Sequence, residues 1–341
     1  MGYYNYLLVV LGYWYLLGYL ISMYDIIILG SGPAGWTAGI YAIRSGYKTL
    51  LIAGTQWGGQ LMLTTLVENY PGFIEGIQGP DLMVSMRKQA ERLGVEVLNT
   101  DFTQADFSAK PFKITADNKV YETKSVIITT GADSLWLNIP GEAQLRGKGV
   151  STCAVCDAFF FRGKDTVVVG GGDSAMEEAV VLAKVAKSVT IIHRRDSFRA
   201  SKAMQDRVFS EPKISVLWNK AVTKYLGTEH VTGVMLKDLK SGKEEEMQTD
   251  GVFLAVGHKP NTQNFKGIEL DSKGYIVRKE VKDEVGLLGY RSATSVPGVF
   301  VGGDVHDYRY KQAVTAAAFG CMAALDADKW LSENKIISER S

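Results

Sequence analysis

The sequence predicts an α/β fold built from two parallel-sheet domains. Two segments, which begin about 140 residues apart, each contain a short apolar strand, a glycine-rich turn, a helix and a second apolar strand. A strand–helix–strand order builds a parallel sheet, and a glycine-rich turn at this place is typical of Rossmann-like dinucleotide-binding domains. The length of 341 residues agrees with two domains of roughly 150 residues each.

The elements of the first segment follow one another closely: we predict a strand over Tyr24–Leu29, a helix over Ala34–Ser45 and a strand over Thr49–Ala53. The second segment repeats this order. Its predicted strand, helix and strand are Thr166–Val169, Ala175–Lys184 and Val189–Ile192.

The end of the chain returns to the first domain, with a strand predicted over Val299–Val301 and a long alanine-rich helix over Gln312–Leu331. Turn residues and prolines in Leu135–Ala143 and Gly257–Thr262 indicate two crossings between the domains. Two crossings mean that the second domain is inserted into the first. The predicted divisions are an apolar extension at 1–22, the first domain at 23–134 and 263–341, and the inserted domain at 135–262.

Composition excludes several classes of protein. The chain is 46% hydrophobic and 22% charged, which is typical of a globular protein. Lys and Arg number 38 against 37 Asp and Glu, so the net charge of +1 excludes a strongly basic nucleic-acid binder. Three cysteines are too few for a secreted disulfide scaffold, and two of them form a Cys-x-x-Cys motif.

The first 22 residues carry no charged side chain. As a helix, they would be about 30 Å long, which is enough to cross a bilayer core. The absence of a basic region and of a small-residue cleavage site argues against a signal peptide. Three interpretations stay open: a membrane anchor, a true start at Met23, and a helix that packs on the domain.

A first dinucleotide site is predicted in the turn Gly30-Ser31-Gly32-Pro33-Ala34-Gly35, which fits G-x-G-x-x-G. These glycines form the turn, admit a pyrophosphate and allow the helix to pack closely. The motif also calls for an acid about 20 residues further on, for a ribose, but none lies between Asp25 and Glu68. We expect Thr55, Gln56 or a water molecule to take that role.

A second dinucleotide site is predicted in Gly170-Gly171-Gly172-Asp173-Ser174-Ala175, which fits G-x-G-x-x-A. The strand after it ends in His193-Arg194-Arg195, with Arg199 four residues further on. Arginines suit the 2′-phosphate of NADP(H), whereas an acid would suit the free hydroxyl of NAD(H). The position at the end of the strand favours an NADP(H) site over a solvated basic loop.

Cys153-Ala154-Val155-Cys156 predicts a redox centre, because two thiols at this spacing can form a small-ring disulfide. Zinc is the alternative, but a structural zinc site needs four ligands, and Cys321 and the four histidines are scattered. We therefore predict no metal and interpret Cys321 as a buried small hydrophobe. Asp157 could shuttle the proton of thiol–disulfide exchange, or it could cap a helix or be a solvated acid.

These motifs together resemble a known family. They are Gly-Ser-Gly-Pro-Ala-Gly at 30–35, Gly-Gly-Gln-Leu at 58–61, Glu-Asn-Tyr-Pro-Gly at 68–72, Cys-Ala-Val-Cys-Asp at 153–157, Gly-Gly-Gly-Asp-Ser-Ala at 170–175, His-Arg-Arg-Asp at 193–196 with Arg199-Ala200, Gly-His-x-Pro-Asn at 257–261, and Gly-Gly-Asp-Val at 302–305. In this order they resemble the low-molecular-weight thioredoxin reductases of bacteria and archaea, over about residues 24–332.

The resemblance implies FAD in the first domain and NADPH in the inserted one. The residues it implies for FAD are Gly30, Gly32, Pro33, Ala34, Gly35, Gly59, Gln60, Asn69, Gly303, Asp304, Lys311, Gln312 and Ala313. Lys311 departs from the family pattern, in which an arginine is common. The residues it implies for NADPH are Gly172, Asp173, Ser174, Ala175, His193, Arg194, Arg195 and Arg199.

The resemblance also implies electron transfer from NADPH through FAD and a cysteine disulfide to thioredoxin or a thioredoxin-like protein. Cys156 then faces the flavin, Cys153 attacks the partner's disulfide, and Asp157 is the acid–base residue. A cytoplasmic homodimer whose NADPH domain rotates is further implied, with membrane association only if residues 1–22 are an anchor. Three alternatives remain: a ferredoxin or flavodoxin reductase, an oxidase of small dithiols, and a membrane-tethered, non-catalytic redox flavoprotein.

Overall fold

The computed structural model describes residues 23–279, 281–282 and 288–340. The hypotheses of a membrane anchor, a packing helix or a start at Met23 concern residues 1–22, which lie outside the described part. Within the described part, no helix is both long enough and apolar enough to cross a membrane.

Helices and strands alternate over most of the chain. The helices are α1 Pro33–Arg44, α2 Gly79–Leu93, α3 Glu142–Leu145, α4 Ala154–Asp157, α5 Asp173–Ala183, α6 Lys202–Phe209 and α7 Ala313–Arg340, with 3₁₀ turns at Gly59–Leu63 and Ala158–Phe161.

The strands of the first half are β1 Tyr24–Leu29, β2 Thr49–Ile52, β3 Leu66–Val67, β4 Ile77–Gln78, β5 Glu96–Leu98, β6 Phe102–Asp106, β7 Phe112–Ala116, β8 Lys119–Ile128, β9 Ala132–Ser134, β10 Val150–Ser151 and β11 Asp165–Gly170. Those of the second half are β12 Ser188–His193, β13 Ile214–Trp218, β14 Lys220–Leu226, β15 Gly233–Asp238, β16 Glu244–Gln248, β17 Gly251–Ala255, β18 His258–Pro260, β19 Phe265–Lys266, β20 Val281–Lys282, β21 Leu288–Tyr290 and β22 Val299–Val301.

The chain forms two compact units, and the second interrupts the first. Among the described residues, the first unit holds 23–62, Ile77–Ala132 and those from Pro260 onward. The second holds Leu63–Gly76 and Asp133–Lys259. The predicted fold class, one dinucleotide-binding domain inserted into another, is thereby confirmed.

The sheet of the first unit has the order β19-β6-β7-β8-β1-β2-β5, and β22 also pairs with β8. Strand β1 lies between β8 and β2 and is parallel to both. Its side chains are almost entirely buried, as expected for a strand covered on both faces. The glycine-rich turn after β1 therefore lies at the carboxyl edge of the sheet, where ligands of such folds bind.

Two helices pack closely against this turn in the first unit. Pro33 is the first residue of α1, where its missing N–H costs no helix bond. A Cβ on Gly320 of α7 would collide with the backbone of Ala34, so the two helices can approach only because that residue is glycine.

The sheet of the second unit is wholly parallel, with the order β10-β17-β11-β12-β13. Helix α5 and its neighbours pack on one face, where Met176, Ala179 and Leu182 are fully buried. The antiparallel sheet β14-β15-β16 supplies Val222 and Val234 to the cluster that covers the other face.

The predicted strands and helices around both turns are confirmed to within two residues. The last helix, in contrast, continues to Arg340, nine residues beyond the predicted Leu331. Residues 332–340 contain no glycine or proline, so nothing in this sequence ends the helix.

Candidate functional site

The two motif cysteines form a disulfide at the start of a single helical turn. Cys153 is the N-cap of α4 and Cys156 lies within it, with their Cα atoms 5.3 Å apart. The Cys156 amide donates a hydrogen bond to Sγ of Cys153 at 3.2 Å. Cys156 is exposed to solvent and Cys153 is half-buried. The motif is thus a redox-competent pair within the second unit.

A serine links this pair to the neighbouring carboxyl group. The Ser151 hydroxyl accepts the amide hydrogen of Cys153 at 3.0 Å and donates to Oδ2 of Asp157 at 2.6 Å. Strand β10 ends at Ser151, and α4 ends at Asp157. The strand end and the helical turn together hold hydroxyl, carboxyl and cysteine in one chain of hydrogen bonds.

The surroundings of Asp157 change the pKa of its carboxyl group. Burial raises the pKa of this carboxyl above its ordinary value, and the hydrogen bond from Ser151 works against the rise. A carboxyl with a raised pKa keeps its proton closer to neutral pH, where it can pass the proton to a departing thiolate. The structure therefore favours the acid–base interpretation of Asp157 over that of a solvated acid.

A second carboxylate holds the segment between the cysteines. Oε2 of Glu178, on α5, accepts the amide hydrogen of Ala154 at 2.5 Å. Ala154 itself is fully buried. This contact joins the redox turn, which is Cys153 together with α4, to the helix that follows the second glycine-rich turn.

The second glycine-rich turn joins β11 to α5. A Cβ on Gly170 would lie 2.6 Å from the carbonyl oxygen of Ala255 and 2.7 Å from Cβ of Ala175, so this turn needs glycine for close packing. At Gly172, in contrast, no atom of the described part of the chain lies within 4 Å of the place where a Cβ would be. Gly172 caps α5 in an extended conformation, so the free helix amides face open space.

The predicted arginines lie beside this turn. The amide of Arg199 donates to the carbonyl oxygen of Gly171 at 2.8 Å. Asp173, the first residue of α5, accepts hydrogen bonds from the amide and hydroxyl of Ser201, both at 2.8 Å. Arg194, Arg195 and Arg199 are all exposed. The structure thus places Arg199 against the turn. Strand β12 is parallel to β11 and pairs with it, so Arg194 and Arg195 follow β12 at the same edge of the sheet as the turn, Ser174 and Ala175.

His193 occupies a different position from the arginines that follow it. Only 5% of its surface is exposed, and its ring packs against Phe198 and Trp218. A Cβ on Gly171 would collide with this ring. Burial also lowers the pKa of His193. The imidazole thus packs against the turn at Gly171 inside the domain, whereas the arginines are exposed to solvent.

The first glycine-rich turn joins β1 to α1 in the same manner. A Cβ on Gly30, which has φ of +110°, would collide with the carbonyl of Thr129, and one on Gly35 would collide with the carbonyl of Gly30. Gly32 again has open space where a Cβ would be. Each unit therefore has a glycine-rich turn at a helix N-terminus, a nucleotide cradle of the kind that typically binds a pyrophosphate.

A serine in the first turn ties it to the segment after β2. The Ser31 hydroxyl donates to the carbonyl oxygen of Ala53 at 2.6 Å and accepts the amide hydrogen of Gly58 at 2.9 Å. A Cβ on Gly59 would lie 3.6 Å from Cα of Gly32. Gly59 and the exposed Gln60 after it are thereby brought beside the turn, as predicted.

Asp304 adds an unsatisfied carboxyl group to the first unit. It follows β22 and Gly303, and Gly303 approaches so closely that a Cβ on it would lie 2.9 Å from Cβ of Ala34. Oδ1 of Asp304 is buried and has no hydrogen-bond partner among the residues that the structure describes. Burial, and secondarily the charge of Asp307, raises the pKa of Asp304 to about 7, while Lys311 opposes this rise.

The loop between Asp304 and α7 is ordered by Asp307. Its carboxylate accepts the amide hydrogens of Arg309, Tyr310 and Lys311 at 2.9–3.2 Å. Gln312 and Ala313 follow as α7 begins, and Gln312 accepts the amide hydrogen of Ala316 at 2.8 Å. These predicted residues thus lie around the start of one helix, whereas Asn69 belongs to the second unit.

Two residues that hydrogen-bond to the redox turn were not predicted from the sequence. Ser151 lies two positions before the first motif cysteine, so a search for hydroxyl donors near Asp157 could have found it. Glu178 lies 24 positions after Ala154, and only the packing of α5 brings it there. Cys321, predicted as buried, is only partly so.

The chain matches known proteins along most of its length. The family profile of the pyridine nucleotide-disulphide oxidoreductases matches residues 24–320. The thioredoxin reductase of Coxiella burnetii is 47% identical over 313 residues, which are 90% of this chain and 96% of that protein. The thioredoxin reductase of Streptomyces clavuligerus is 49% identical over 311 residues, 90% of this chain and 94% of that protein.

Solved structures give the same result. The structure of thioredoxin reductase from Giardia duodenalis has a TM-score of 0.85 and 43% identity, covering 91% of this chain and 99% of that one. Fold, redox pair and paired nucleotide cradles define a pyridine nucleotide-disulphide oxidoreductase. Within that class, the chain belongs to the thioredoxin reductase family. The predicted resemblance is confirmed, and a ferredoxin or flavodoxin reductase is not favoured.

FAD and NADPH are the cofactors of this class, and the residues present fit both. The open space at Gly32 and at Gly172 admits a pyrophosphate in each unit. The buried, unpartnered Oδ1 of Asp304 fits a hydroxyl donor such as those of a flavin's ribityl chain. The exposed arginines after β12 fit a 2′-phosphate.

Proposed function

We propose that this enzyme reduces the disulfide of thioredoxin or a thioredoxin-like protein at the expense of NADPH. The observation that carries the proposal is the Cys153–Cys156 disulfide, joined through Ser151 to the carboxyl of Asp157. Thiol–disulfide exchange uses a reactive disulfide, and an acid–base group beside it can transfer the proton that the exchange requires.

The first unit would bind FAD and the second NADPH. For FAD, the amides at the start of α1 would bind the pyrophosphate, with Gly59, Gln60, Asp304 and the start of α7 contributing further contacts. For NADPH, the amides at the start of α5 would bind the pyrophosphate, and the arginines would bind the 2′-phosphate. When bound, FAD would supply the two-electron chemistry that connects NADPH with a disulfide.

The chain's own residues would then carry out two exchanges. In the reduced pair, the thiolate of Cys153 attacks a sulfur of the partner's disulfide, forming a mixed disulfide and releasing one partner thiolate, which Asp157 protonates. Cys156, as thiolate, attacks Sγ of Cys153 and releases the second partner thiolate, which takes a proton from solvent. The partner gains two electrons and two protons, and the disulfide of this chain forms again.

Assembly and location complete the proposal. We propose a homodimer in the cytoplasm, as the family resemblance implies. The low cysteine content supports a reducing compartment, where thiols outside a redox pair stay reduced. The proposal includes no metal: within the described residues, no cluster of three or more histidines, cysteines and acids could hold one.

Coupled turnover tests the proposal. The full chain, reconstituted with FAD, is given NADPH and an oxidised thioredoxin, and NADPH loss and thiol formation are followed together. The proposal predicts one NADPH consumed for each thioredoxin disulfide reduced. Cys153→Ser and Cys156→Ser should retain bound flavin and lose thioredoxin reduction. Full thiol formation by either variant would contradict the proposal.

A further inference from the structure

The structure assigns a ribose-binding role to Asp101, a residue far from the first glycine-rich turn in sequence. We infer that its carboxylate accepts hydrogen bonds from the adenosine ribose of the dinucleotide bound at that turn, and disfavours a 2′-phosphate there. This inference rests on the proposed function, because it concerns the site proposed for FAD.

The carboxylate of Asp101 contacts Thr55, which lies three residues after the end of strand β2. Its Oδ1 accepts the amide hydrogen of Thr55 at 3.1 Å, and its Oδ2 accepts the Thr55 hydroxyl hydrogen at 2.8 Å. A Cβ on Gly54 would lie 3.2 Å from the same Oδ1. Gly54 has φ of +83°, a conformation that suits glycine and brings the backbone close to the acid.

This position is where a dinucleotide site of this type normally has its acid. The usual Asp or Glu lies at the end of the second strand and contacts the ribose 2′-hydroxyl. Here that strand is β2, and no acid follows it until Glu68. Strand β5 is parallel to β2 and pairs with it directly, so its carboxyl end reaches the same edge of the sheet. Asp101 lies three residues after the end of β5, and it thus supplies the carboxylate that is missing after β2.

Hydrogen bonds connect this acid to the turn itself. The amide of Gly54 donates to the carbonyl oxygen of Thr100 at 3.2 Å, next to Asp101. The amide of Ala53 donates to Leu98 at 2.8 Å, and the carbonyl oxygen of Ala53 accepts the Ser31 hydroxyl at 2.6 Å. The first turn, the segment after β2 and the segment after β5 therefore form one connected edge.

The remaining bonding capacity of Asp101 matches a ribose diol. A carboxylate has about four acceptor positions, and Thr55 uses two of them. Asp101 is exposed, so the others are accessible to a ligand. A negative charge accepts hydroxyl hydrogens and repels a phosphate, the reverse of the arginines at the second turn. The two turns would thereby sort the cofactors, FAD to the first and NADPH to the second.

The alternative is that Asp101 only stabilises its loop. The chain offers a matched control, since Oδ1 of Asp106 accepts the amide and hydroxyl hydrogens of Ser108 at 2.9 and 2.7 Å. That contact has the same chemistry in the same unit, but it joins the last residue of β6 to the turn that directly follows. Asp106→Asn removes an equivalent charge and loop contact without touching the turn.

The test measures binding to the full chain after its flavin has been removed. FAD rebinding is followed by flavin fluorescence, with ADP, 2′-deoxy-ADP and 3′-deoxy-ADP as competitors. For the unaltered chain, we expect at least one deoxy competitor to bind about tenfold more weakly than ADP, a typical effect of losing a hydrogen bond to a charged group. Asp101→Asn should bind ADP about tenfold more weakly and lose this discrimination, while Asp106→Asn should behave as the unaltered chain.

The outcomes separate the inference from the proposed function. Equal binding of all three competitors by the unaltered chain would overturn the inference, and this result requires no variant to fold. Asp101→Asn with full ADP affinity and undiminished discrimination would overturn it as well. An unaltered chain that binds no FAD would instead contradict the proposed function.

Discussion

Ser151 donates a hydrogen bond of 2.6 Å to Oδ2 of Asp157 while its oxygen accepts the amide hydrogen of Cys153. The hydroxyl therefore links the half-buried acid beside the redox turn to the backbone of the cysteine proposed to attack. Burial raises the pKa of Asp157, and the hydrogen bond from Ser151 lowers it by a smaller amount, so removal of the serine should raise this pKa further.

Asp157→Asn should lower the rate of thioredoxin reduction by about 100-fold, within the range that a single proton-transfer group contributes. The amide can still accept the bond from Ser151, so folding and flavin content should be unchanged. Steady-state turnover with oxidised thioredoxin measures the effect. Asp206→Asn, an exposed acid on α6, is the control. Turnover within twofold of the unaltered enzyme would remove Asp157 from the mechanism.

Ser151→Ala should move the pH profile of turnover to higher pH. The lost hydrogen bond favoured the ionised carboxylate, so the pKa of Asp157 should rise further. If the protonated acid is the active form, activity falls as pH rises through this pKa. A higher pKa therefore moves the falling limb of the pH profile to higher pH. A limb that stays in place, or moves to lower pH, would contradict this assignment.

Two glycines of the second turn should respond differently to the same added methyl group. Gly170→Ala should destabilise the fold by about 1–3 kcal/mol, since its Cβ would overlap Ala255 and Ala175. Gly172→Ala should change stability by less than about 1 kcal/mol, since φ is −101° and no described atom is in the way, while alanine is a poorer N-cap than glycine.

The second change should nevertheless weaken NADPH binding, because the added methyl occupies the space that a pyrophosphate needs. Urea unfolding and NADPH titration of both variants make the comparison. A Gly172→Ala enzyme with unchanged NADPH affinity would show that the cofactor lies elsewhere.

The three exposed arginines should determine the choice of cofactor. Replacing Arg194, Arg195 and Arg199 together with alanine should raise the KM for NADPH about 10- to 100-fold, because charge-assisted contacts to a phosphate are lost. The KM for NADH, which has no 2′-phosphate, should change little. Arg207→Ala, an exposed arginine on α6, is the control. An equal rise for both nucleotides would point to a general electrostatic effect.

Asp304 should make the flavin-free protein less stable as pH rises. Its folded pKa of about 7 lies above the ordinary 3.8, so the unfolded chain loses this proton first. Stability from this group is therefore complete below about pH 4 and is lost toward pH 7, by on the order of 4 kcal/mol. Asp304→Asn should remove that part of the slope in urea unfolding. Identical slopes in the two proteins would contradict the burial of this charge.

Local features of the fold could be predicted from the sequence because they depend on neighbouring residues. A strand, a glycine turn and a helix follow one another within about 20 residues at both nucleotide cradles, so the local pattern of apolar residues and glycines identifies them. The sequence does not predict the end of α7 correctly, because residues 332–340 contain no glycine or proline that would indicate where the helix stops.

Features that depend on strand order could not be predicted in this way. Asp101 reaches the first turn only because β5 pairs with β2, a relationship that separation in sequence does not show. Glu178 reaches the redox turn only through the packing of α5. His193 was grouped with the arginines because it precedes them, but alternation along β12 directs its ring into the core.

The most direct test of the proposed electron path counts the electrons that NADPH delivers. The full chain with bound FAD is titrated anaerobically with NADPH while flavin absorbance and free thiols are followed. A flavin and a disulfide each accept two electrons, so we expect uptake of about two equivalents of NADPH per subunit, and about one for Cys153→Ser. Uptake of a single equivalent by the unaltered enzyme, with no new thiols, would place the Cys153–Cys156 disulfide outside the electron path and contradict the proposed function.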